Sequence, residues 1–347
     1  MLILRPCIYE RVLRPLLFLL PPEVAQSTAD FILKRKLIWN ILEPKLRILD
    51  SRLKTSLGGI NLQNPIGLAA GYDKNCSLLP SLASLGFGYV IGGTVTESPR
   101  PGNAKPRVIR DIKAGALVNS LGFPSYGLDV VANNLLTNAN TPNQTPVIVS
   151  ISGINTQEIL NCHNRLEAIV KAIEINISSP NTKGLKVFQS PTALMDLLNQ
   201  VNEKRKKPLF VKLPPYDFDA EQEGQKKENV LELARVCKDL GIEGLTIANT
   251  WPVTDKRLAS GTGGLSGKPI FSRTLKMVTE VRSEVGLNVA INACGGISTG
   301  EDVWNALLAG ATTVQLLTSL IYRGPGLIKQ MIEELSSLFD ADSYQTR

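Results

Sequence analysis

Eight short apolar runs recur between residues 60 and 335, most of them separated by helix-forming stretches, and that alternation is the tightest constraint on the fold. The runs are Ile66–Ala70, Tyr89–Gly92, Val147–Ile151, Ala172–Ile177, Leu209–Leu213, Gly244–Ala248, Asn288–Ala293 and Thr313–Leu317. Strands that alternate with helices pair in parallel through right-handed crossovers. Eight such units over about 275 residues predict an α/β chain closed into a (β/α)8, or TIM, barrel. A doubly wound open sheet shares the alternation, but no G-x-G-x-x-G follows the first strand. Polar stretches at 133–146, 214–229 and 252–268 read as loops or covers over the barrel mouth.

Polar residues gather at one end of these strands. Gly71, Asp73 and Lys74 follow the first, Thr94 and Thr96 the second, and Ser150 and Ser152 close the third. The fourth runs into the octet I-N-I-S-S-P-N-T (175–182), where Pro180 breaks the strand and leaves Asn176, Ser178, Ser179, Asn181 and Thr182 at its mouth. Such a cluster can be a strand end capped by Asx and Ser turns. Uncharged amides and hydroxyls also suit a flat ligand that offers both donors and acceptors. Lys212 lies in the fifth strand, Asn249-Thr250 end the sixth, Gly295-Gly296 the seventh and Thr318-Ser319 the eighth. All eight sets fall at C-terminal strand ends, the face on which barrels carry out their chemistry.

Three of these positions suggest a reaction class. Lys212, in F-V-K-L-P, is a lysine inside an apolar strand. It is either a side chain that snorkels at the strand end or a fixed cation facing a group that gains negative charge. A flavin reduced by hydride becomes anionic on its pyrimidine ring, so a lysine there would raise its tendency to accept electrons. Gly295-Gly296, with Ser266 and Gly267 from G-G-L-S-G (263–267), offers bare backbone amides beside the Thr318 and Ser319 hydroxyls. Glycine pairs often mark only tight turns, but after strand 7 they match the standard barrel phosphate site. Ser179 is the candidate base, a role that requires a substrate proton made acidic by the flavin chemistry itself. Thr182 and Phe123 would position and shield the water that takes the proton onward, and Lys74 and Asn119 would complete a pocket for a planar anion.

Composition narrows the field. Hydrophobic residues make up 43% and charged residues 20%, as in soluble globular chains. The net charge is +7, but residues 1–54 hold ten Lys/Arg against five Asp/Glu. The excess is local and not interleaved with aromatic residues, which argues against nucleic acid. Five scattered cysteines without a C-x-x-C pair argue against a zinc or disulfide framework and suggest a reducing compartment. The single histidine, His163, reads as a solvated loop or helix-start residue. Tyr9, Val12, Leu13, Leu16, Leu17 and Leu20 follow a helical period up to Pro21-Pro22, and a second helix opens at Glu23 and ends in Lys34-Arg35-Lys36. No run approaches the ~20 apolar residues of a membrane span, and charges interrupt any signal-peptide core. Residues 1–40 are therefore either a helical cap on the main unit, 41–347, or a basic amphipathic hairpin in a membrane interface.

The chain resembles the dihydroorotate dehydrogenases from about residue 9 to 333, and in several stretches their class 2, quinone-linked, membrane-associated branch. The resemblance rests on G-L-A-A-G-Y-D-K (67–74), G-T-V-T-E-S-P-R-P-G-N-A-K-P-R (93–107), N-I-S-S-P-N-T (176–182) and G-G-L-S-G-K-P (263–269). It implies an FMN barrel, one non-covalent FMN per chain, that oxidises dihydroorotate to orotate in pyrimidine biosynthesis. Ser179 would be the catalytic base and Thr182 part of its proton relay. The substrate would lie on Lys74, Asn119, Ser120, Leu121, Gly122, Phe123, Asn176, Asn181, Asn249 and Thr250. FMN would lie on Ala70, Gly71, Thr94, Ser150, Asn176, Lys212, Ser266, Gly267, Gly295, Gly296, Thr318 and Ser319, without any metal. Residues 1–36 would give quinone access and dock on the membrane surface, with Arg107 and Arg110 between hairpin and flavin. A peripheral monomer is expected, on the cytoplasmic face of the cell membrane if the source is bacterial. Three positions depart from the branch: Ser120 replaces its arginine, strand 3 reads V-S-I-S-G-I-N with Ser150 in place of an asparagine, and Gln26 replaces a histidine. These leave a soluble acceptor, fumarate or NAD, as an alternative to quinone, and a barrel that binds a phosphorylated ligand without redox work as a more distant one.

Overall fold

A computed structural model describes residues 6–138, 145–178, 185–216 and 223–345. The eight predicted strands are present as β1 (Ile66–Leu68), β2 (Tyr89–Val95), β3 (Val147–Ile151), β4 (Ala172–Asn176), β5 (Leu209–Lys212), β6 (Gly244–Ile247), β7 (Ala290–Cys294) and β8 (Thr313–Leu316). Each pairs in parallel with the next, and β8 pairs back to β1, so the sheet closes into a barrel. The strands read as near-continuous apolar runs because helices cover their outer face while the barrel fills the inner one. In β4, Ile173 and Ile175 belong to the main core with Leu194, Leu197 and Leu198 of the helix Pro191–Asn202. Glu174 and Asn176, on the alternate face, point into the barrel.

Helix ends carry their own chemistry. Asn155 accepts a hydrogen bond from the Glu158 amide and starts the helix Thr156–Leu166. Thr299 and Asp302 form a capping box at Gly300–Leu308. A short antiparallel hairpin, Thr55–Leu57 with Ile60–Leu62, closes the barrel floor. Its Leu57 and Leu62 pack with Tyr89, Ile91, Ile148, Ala172 and Phe210. These side chains fill the floor, and the cavity lies at the opposite end.

The structure corrects three readings. Residues 252–268 are mostly strand: Trp251–Thr254 and Thr262–Gly267 pair antiparallel and join Ala116–Asn119 and Val108–Asp111 in a separate four-stranded sheet. Their Pro and Gly content hid the alternation, and the pairing depends on partners about 150 residues away in sequence. The stretches 133–146 and 214–229 are partly helical, within Leu128–Asn138 and Glu223–Asp239, while 139–144 and 217–222 lie outside the described residues. His163 is buried in the helix Thr156–Leu166, since it shares that helix's inner face with Ile159, Cys162 and Leu166. Burial pushes its imidazole below the usual histidine range.

The N-terminal hairpin is present, with a third helix that its sequence did not announce. Helical turns run from Pro6 to Leu19, Leu20 is extended, and Pro22–Leu33 and Lys36–Leu46 follow. The expected boundary at residue 40 lies inside that last helix. Polar contacts fasten the hairpin to the barrel. Tyr9 Oη donates to the Ile321 carbonyl at 2.9 Å, and Arg107 bonds Glu23 at 2.8 Å. Arg110 donates to the carbonyls of Phe18 and Leu20 and stacks over the Phe18 ring. Leu16, Leu19, Val24 and Phe31 are left exposed on the other side. Among the described residues, no helix is long and apolar enough to cross a membrane.

Candidate active site

A cavity of about 620 Å3 opens at the C-terminal strand ends and continues between the barrel and the N-terminal hairpin. From β1 and its loop it takes Ala70, Gly71 and Lys74, and from β2 Thr94. Asn119, Leu121, Gly122 and Phe123 border it after the strand Ala116–Asn119. Asn176 and Lys212 enter from β4 and β5, and Asn249 and Thr250 from beyond β6. Ser266 and Gly267, Gly295 and Gly296, and Thr318 and Ser319 complete the lining. Ser179, Asn181 and Thr182 lie outside the described residues.

Two expected ligand residues do not border the cavity. Ser120 is buried, its hydroxyl held by Ser260 at 2.8 Å and by Asn103 at 3.2 Å. Ser150 is fully buried and stands behind Thr94, hydroxyl to hydroxyl at 3.1 Å. Ser150 thus meets the cavity only through Thr94, whereas the partners of Ser120 do not border it.

The strand-end amides and hydroxyls form one chain of hydrogen bonds. Asn176 Nδ2 donates to Thr94 Oγ1 at 3.1 Å, and Asn176 Oδ1 accepts from Ser178 Oγ at 2.6 Å. Ser178 Oγ in turn accepts from Asn249 Nδ2 at 2.9 Å, and Asn249 Oδ1 receives the Thr250 amide at 2.7 Å. Three strands, β2, β4 and β6, thereby fix one another's polar ends before any ligand arrives, the preorganisation that a binding site needs. Ser178, which the sequence places at the strand mouth without assigning it a site role, is the central link.

On the barrel side, charge in the cavity comes from Lys74 and Lys212, with Glu23 and Arg110 on the hairpin side. Lys74 Nζ donates to the Gly71 carbonyl at 2.7 Å. Burial pushes its ammonium below the ordinary lysine range, and the Asp30 carboxyl of the hairpin acts against that shift. Asp30 is itself pushed up to about 6 by burial, with Asp73 acting in the same sense and Lys74 and Lys34 against it. Lys212 is 5% exposed, and its nearest polar partner among the described residues is Cys294 Sγ at 3.9 Å. Burial pushes the Cys294 thiol up, and the Lys212 charge works against it. A buried cation without a carboxylate contact is costly, so it points to an anionic partner that binds there.

The glycine cradle fits a phosphate. Gly295 and Gly296 have φ of +145° and +79°, and a Cβ would come within 2.5 Å of Thr274 Oγ1 at the first and 2.6 Å of the Phe271 backbone at the second. Their amides donate to no acceptor among the described residues. Ser266 and Thr318 bring hydroxyls within 2.8 Å of each other beside them. Free amides, two hydroxyls and a nearby lysine form a donor set suited to the phosphate and ring of FMN. Gly296→Ala combines left-handed strain with a backbone clash. It is expected to weaken FMN binding by at least about tenfold, read as the dissociation constant in a fluorescence titration of the apoprotein.

A (β/α)8 barrel with a donor cradle at strands 7 and 8 and a lysine-flanked polar set beside it defines a class of phosphate-holding barrel enzymes that act on a small anion. The sequence profile of the dihydroorotate dehydrogenase family matches residues 52–339. Dihydroorotate dehydrogenase (quinone) of Coxiella burnetii is 36% identical over 94% of this chain and 96% of its own. The protein of that name from Allorhizobium ampelinum is 33% identical over 96% of this chain and 93% of its own. Among solved structures, DHODH of Eimeria tenella in complex with ferulenol superposes with a TM-score of 0.81 at 29% identity, covering 93% of this chain and 92% of that one. The chain belongs to the dihydroorotate dehydrogenase family.

Proposed function

We propose that this protein holds one FMN non-covalently at the strand ends and works as a monomer on a membrane surface, the cytoplasmic face in a bacterial cell. The reaction is the oxidation of (S)-dihydroorotate to orotate in de novo pyrimidine biosynthesis, with a quinone as electron acceptor. The chemistry that FMN supplies when bound is two-electron transfer, with hydride received from the substrate and electrons passed to the quinone. The rest is assigned to the chain's own residues. Lys74, with Asn119, Asn176, Asn181, Asn249 and Thr250, binds the anionic substrate and fixes its orientation. Ser179 takes the proton from the carbon next to the ring carbonyl as the adjacent carbon loses hydride, and its own hydroxyl proton passes to water held near Thr182. Lys212 presents positive charge where negative charge develops, and the cradle at Gly295 and Gly296 holds the phosphate. The balance closes: dihydroorotate gives up two electrons and two protons, and the quinone takes up the same number to become a quinol.

The observation that carries the quinone side is the continuity of the cavity. It runs from Asn176 and Lys212 into a lining of Leu13, Leu17, Ala25, Ala29 and Ile32 on the hairpin. An apolar passage suits a lipophilic acceptor and offers little to fumarate or a dinucleotide. Anaerobic reduction by dihydroorotate, followed by mixing with ubiquinone and menaquinone analogues, fumarate and NAD, tests the reading. Rapid re-oxidation by a quinone alone supports it, and re-oxidation by fumarate or NAD alone overturns the acceptor.

Docking would use the exposed apolar side chains of the hairpin, with Arg11, Lys34 and Arg35 facing the headgroups. Leu19 is 82% and Phe31 60% exposed, so changing both to glutamate leaves the fold intact. The double variant is expected to lose most co-sedimentation with anionic vesicles while flavin reduction by dihydroorotate stays at the wild-type rate. Unchanged vesicle binding would remove these side chains from the docking surface.

A further inference from the structure

We propose that Glu174 is a positioning residue, an internal counter-charge to Lys212 that holds down the reduction potential of the bound flavin. The proposal rests on the flavin reading above.

The strand β4 reads A-I-E-I-N, an acid between two isoleucines. Side chains alternate along a strand, so Glu174 shares its inward face with Asn176 one layer nearer the mouth. Glu174 is fully buried. Its Oε2 accepts a 2.7 Å hydrogen bond from Thr246 Oγ1 on β6, and its Oε1 has no partner among the described residues. Lys212, on β5 between those strands, is in register with Asn176 on one side and with Thr246 on the other. The lysine is thus flanked by the residue two positions along from Glu174 and by the one that bonds it. Both charges reach the same third group, because Lys212 draws the Cys294 thiol down while Glu174 pushes it up.

The described groups in its hydrogen-bond network are neutral. Glu174 is next to Thr246, which also receives Asn292 Nδ2 at 3.3 Å and Gln315 Nε2 at 3.5 Å. Tyr89 and Thr313 continue this network as neutral hydroxyls, 2.9 Å apart. A carboxylate and an ammonium buried alone in one barrel each carry a large desolvation cost, and each lowers the other's at short range. No direct ion pair forms between them, so the lysine's donors remain free for the ligand while part of its field is cancelled from below.

That arrangement has a redox consequence. An unopposed lysine favours the negative charge gained on reduction, which helps electrons arrive from dihydroorotate and hinders their departure to the quinone. A fixed negative charge one layer deeper moderates the lysine and keeps both half-reactions downhill. The acid contributes to catalysis through Lys212 and touches no substrate.

The test is Glu174→Gln in the full-length, FMN-loaded protein, since glutamine keeps the shape and an acceptor for Thr246. The midpoint potential is read by equilibration with a reference dye. The reduced-to-oxidised ratio at a fixed ambient potential is expected to rise at least tenfold, about 30 mV for a two-electron couple. Re-oxidation by a quinone analogue should slow while reduction by dihydroorotate does not. A ratio within twofold of wild type overturns the proposal. If the variant does not fold or hold FMN, infrared difference spectra of wild-type protein labelled with 13C-glutamate decide. Glu174 is the one buried glutamate among the described residues. A label-sensitive carboxyl band that shifts on flavin reduction supports the coupling, and its absence overturns it. Wild-type protein that binds no FMN overturns the flavin reading itself, and this inference with it.

Discussion

The Ser179→Ala protein is expected to bind FMN and orotate as the wild type does and to be reduced by dihydroorotate about 10²–10⁴-fold more slowly, the usual contribution of a positioned base. Ordinary bases are scarce at the cavity. The one histidine of the chain, His163, is buried in an outer helix and does not border the cavity. Glu23 borders it but is tied to Arg107 at 2.8 Å on the hairpin side. Asn176, Asn249 and Thr250 do not titrate, and Lys74 is engaged with the Gly71 carbonyl. The family resemblance gives the role to Ser179, in a segment whose preceding residue is held between Asn176 and Asn249. A weak base that passes its proton to water predicts a reduction rate that climbs with pH in the wild type, and a residual rate in the variant that climbs less. Ser178→Ala is the control. It breaks the link between two substrate-side asparagines, so it should weaken orotate binding more than it slows proton removal. Stopped-flow reduction of Ser179→Ala within threefold of wild type would remove the serine from the mechanism.

How much could be read from residues alone depended on whether the information was local. The barrel strands were readable because a strand covered on both faces is an unbroken apolar run, and all eight were found within a few residues of their ends. The polar residues that follow them were equally visible, since strand-end position follows from strand position. The four-stranded sheet beyond the barrel was not. Thr262–Gly267 contains three glycines and gains its conformation from Ala116–Asn119, a partner that no local pattern names. Side-chain direction was harder still. Ser120 and Ser150 occupy positions where a ligand contact was expected, and each turned out to bond a neighbour instead. Glu174 stood in plain view as a charge in an apolar strand. Only the closed barrel, with Thr246 across from it and Lys212 beside it, gives that charge a role.

Lys212→Met carries the second large expected effect, a loss of about 10²–10³ in the rate of flavin reduction by dihydroorotate, with little change in substrate affinity. A unit charge about 4 Å from developing negative charge is worth about 4 kcal/mol at an effective dielectric near 20. That bounds the loss near three decades, and removal of single charge-stabilising donors at other enzyme sites falls in the same range. Methionine keeps the length and apolar stem of the side chain and removes only the ammonium, so the barrel wall stays filled. FMN should remain bound, because the phosphate cradle at Gly295 and Gly296 lies on other strands and does not depend on the lysine. Dihydroorotate affinity should also survive, since Lys74 carries the charge on the substrate side. The change therefore belongs in the rate and in the flavin potential, which should fall, opposite in sign to the effect of Glu174→Gln. With both charges removed the potential should return toward the wild-type value, while the rate of reduction stays low because the stabilising cation is still missing. Stopped-flow traces and dye equilibration on the two single variants and the double variant measure all of this. A Lys212→Met protein reduced at the wild-type rate would show that the lysine faces no charge that develops in the reaction.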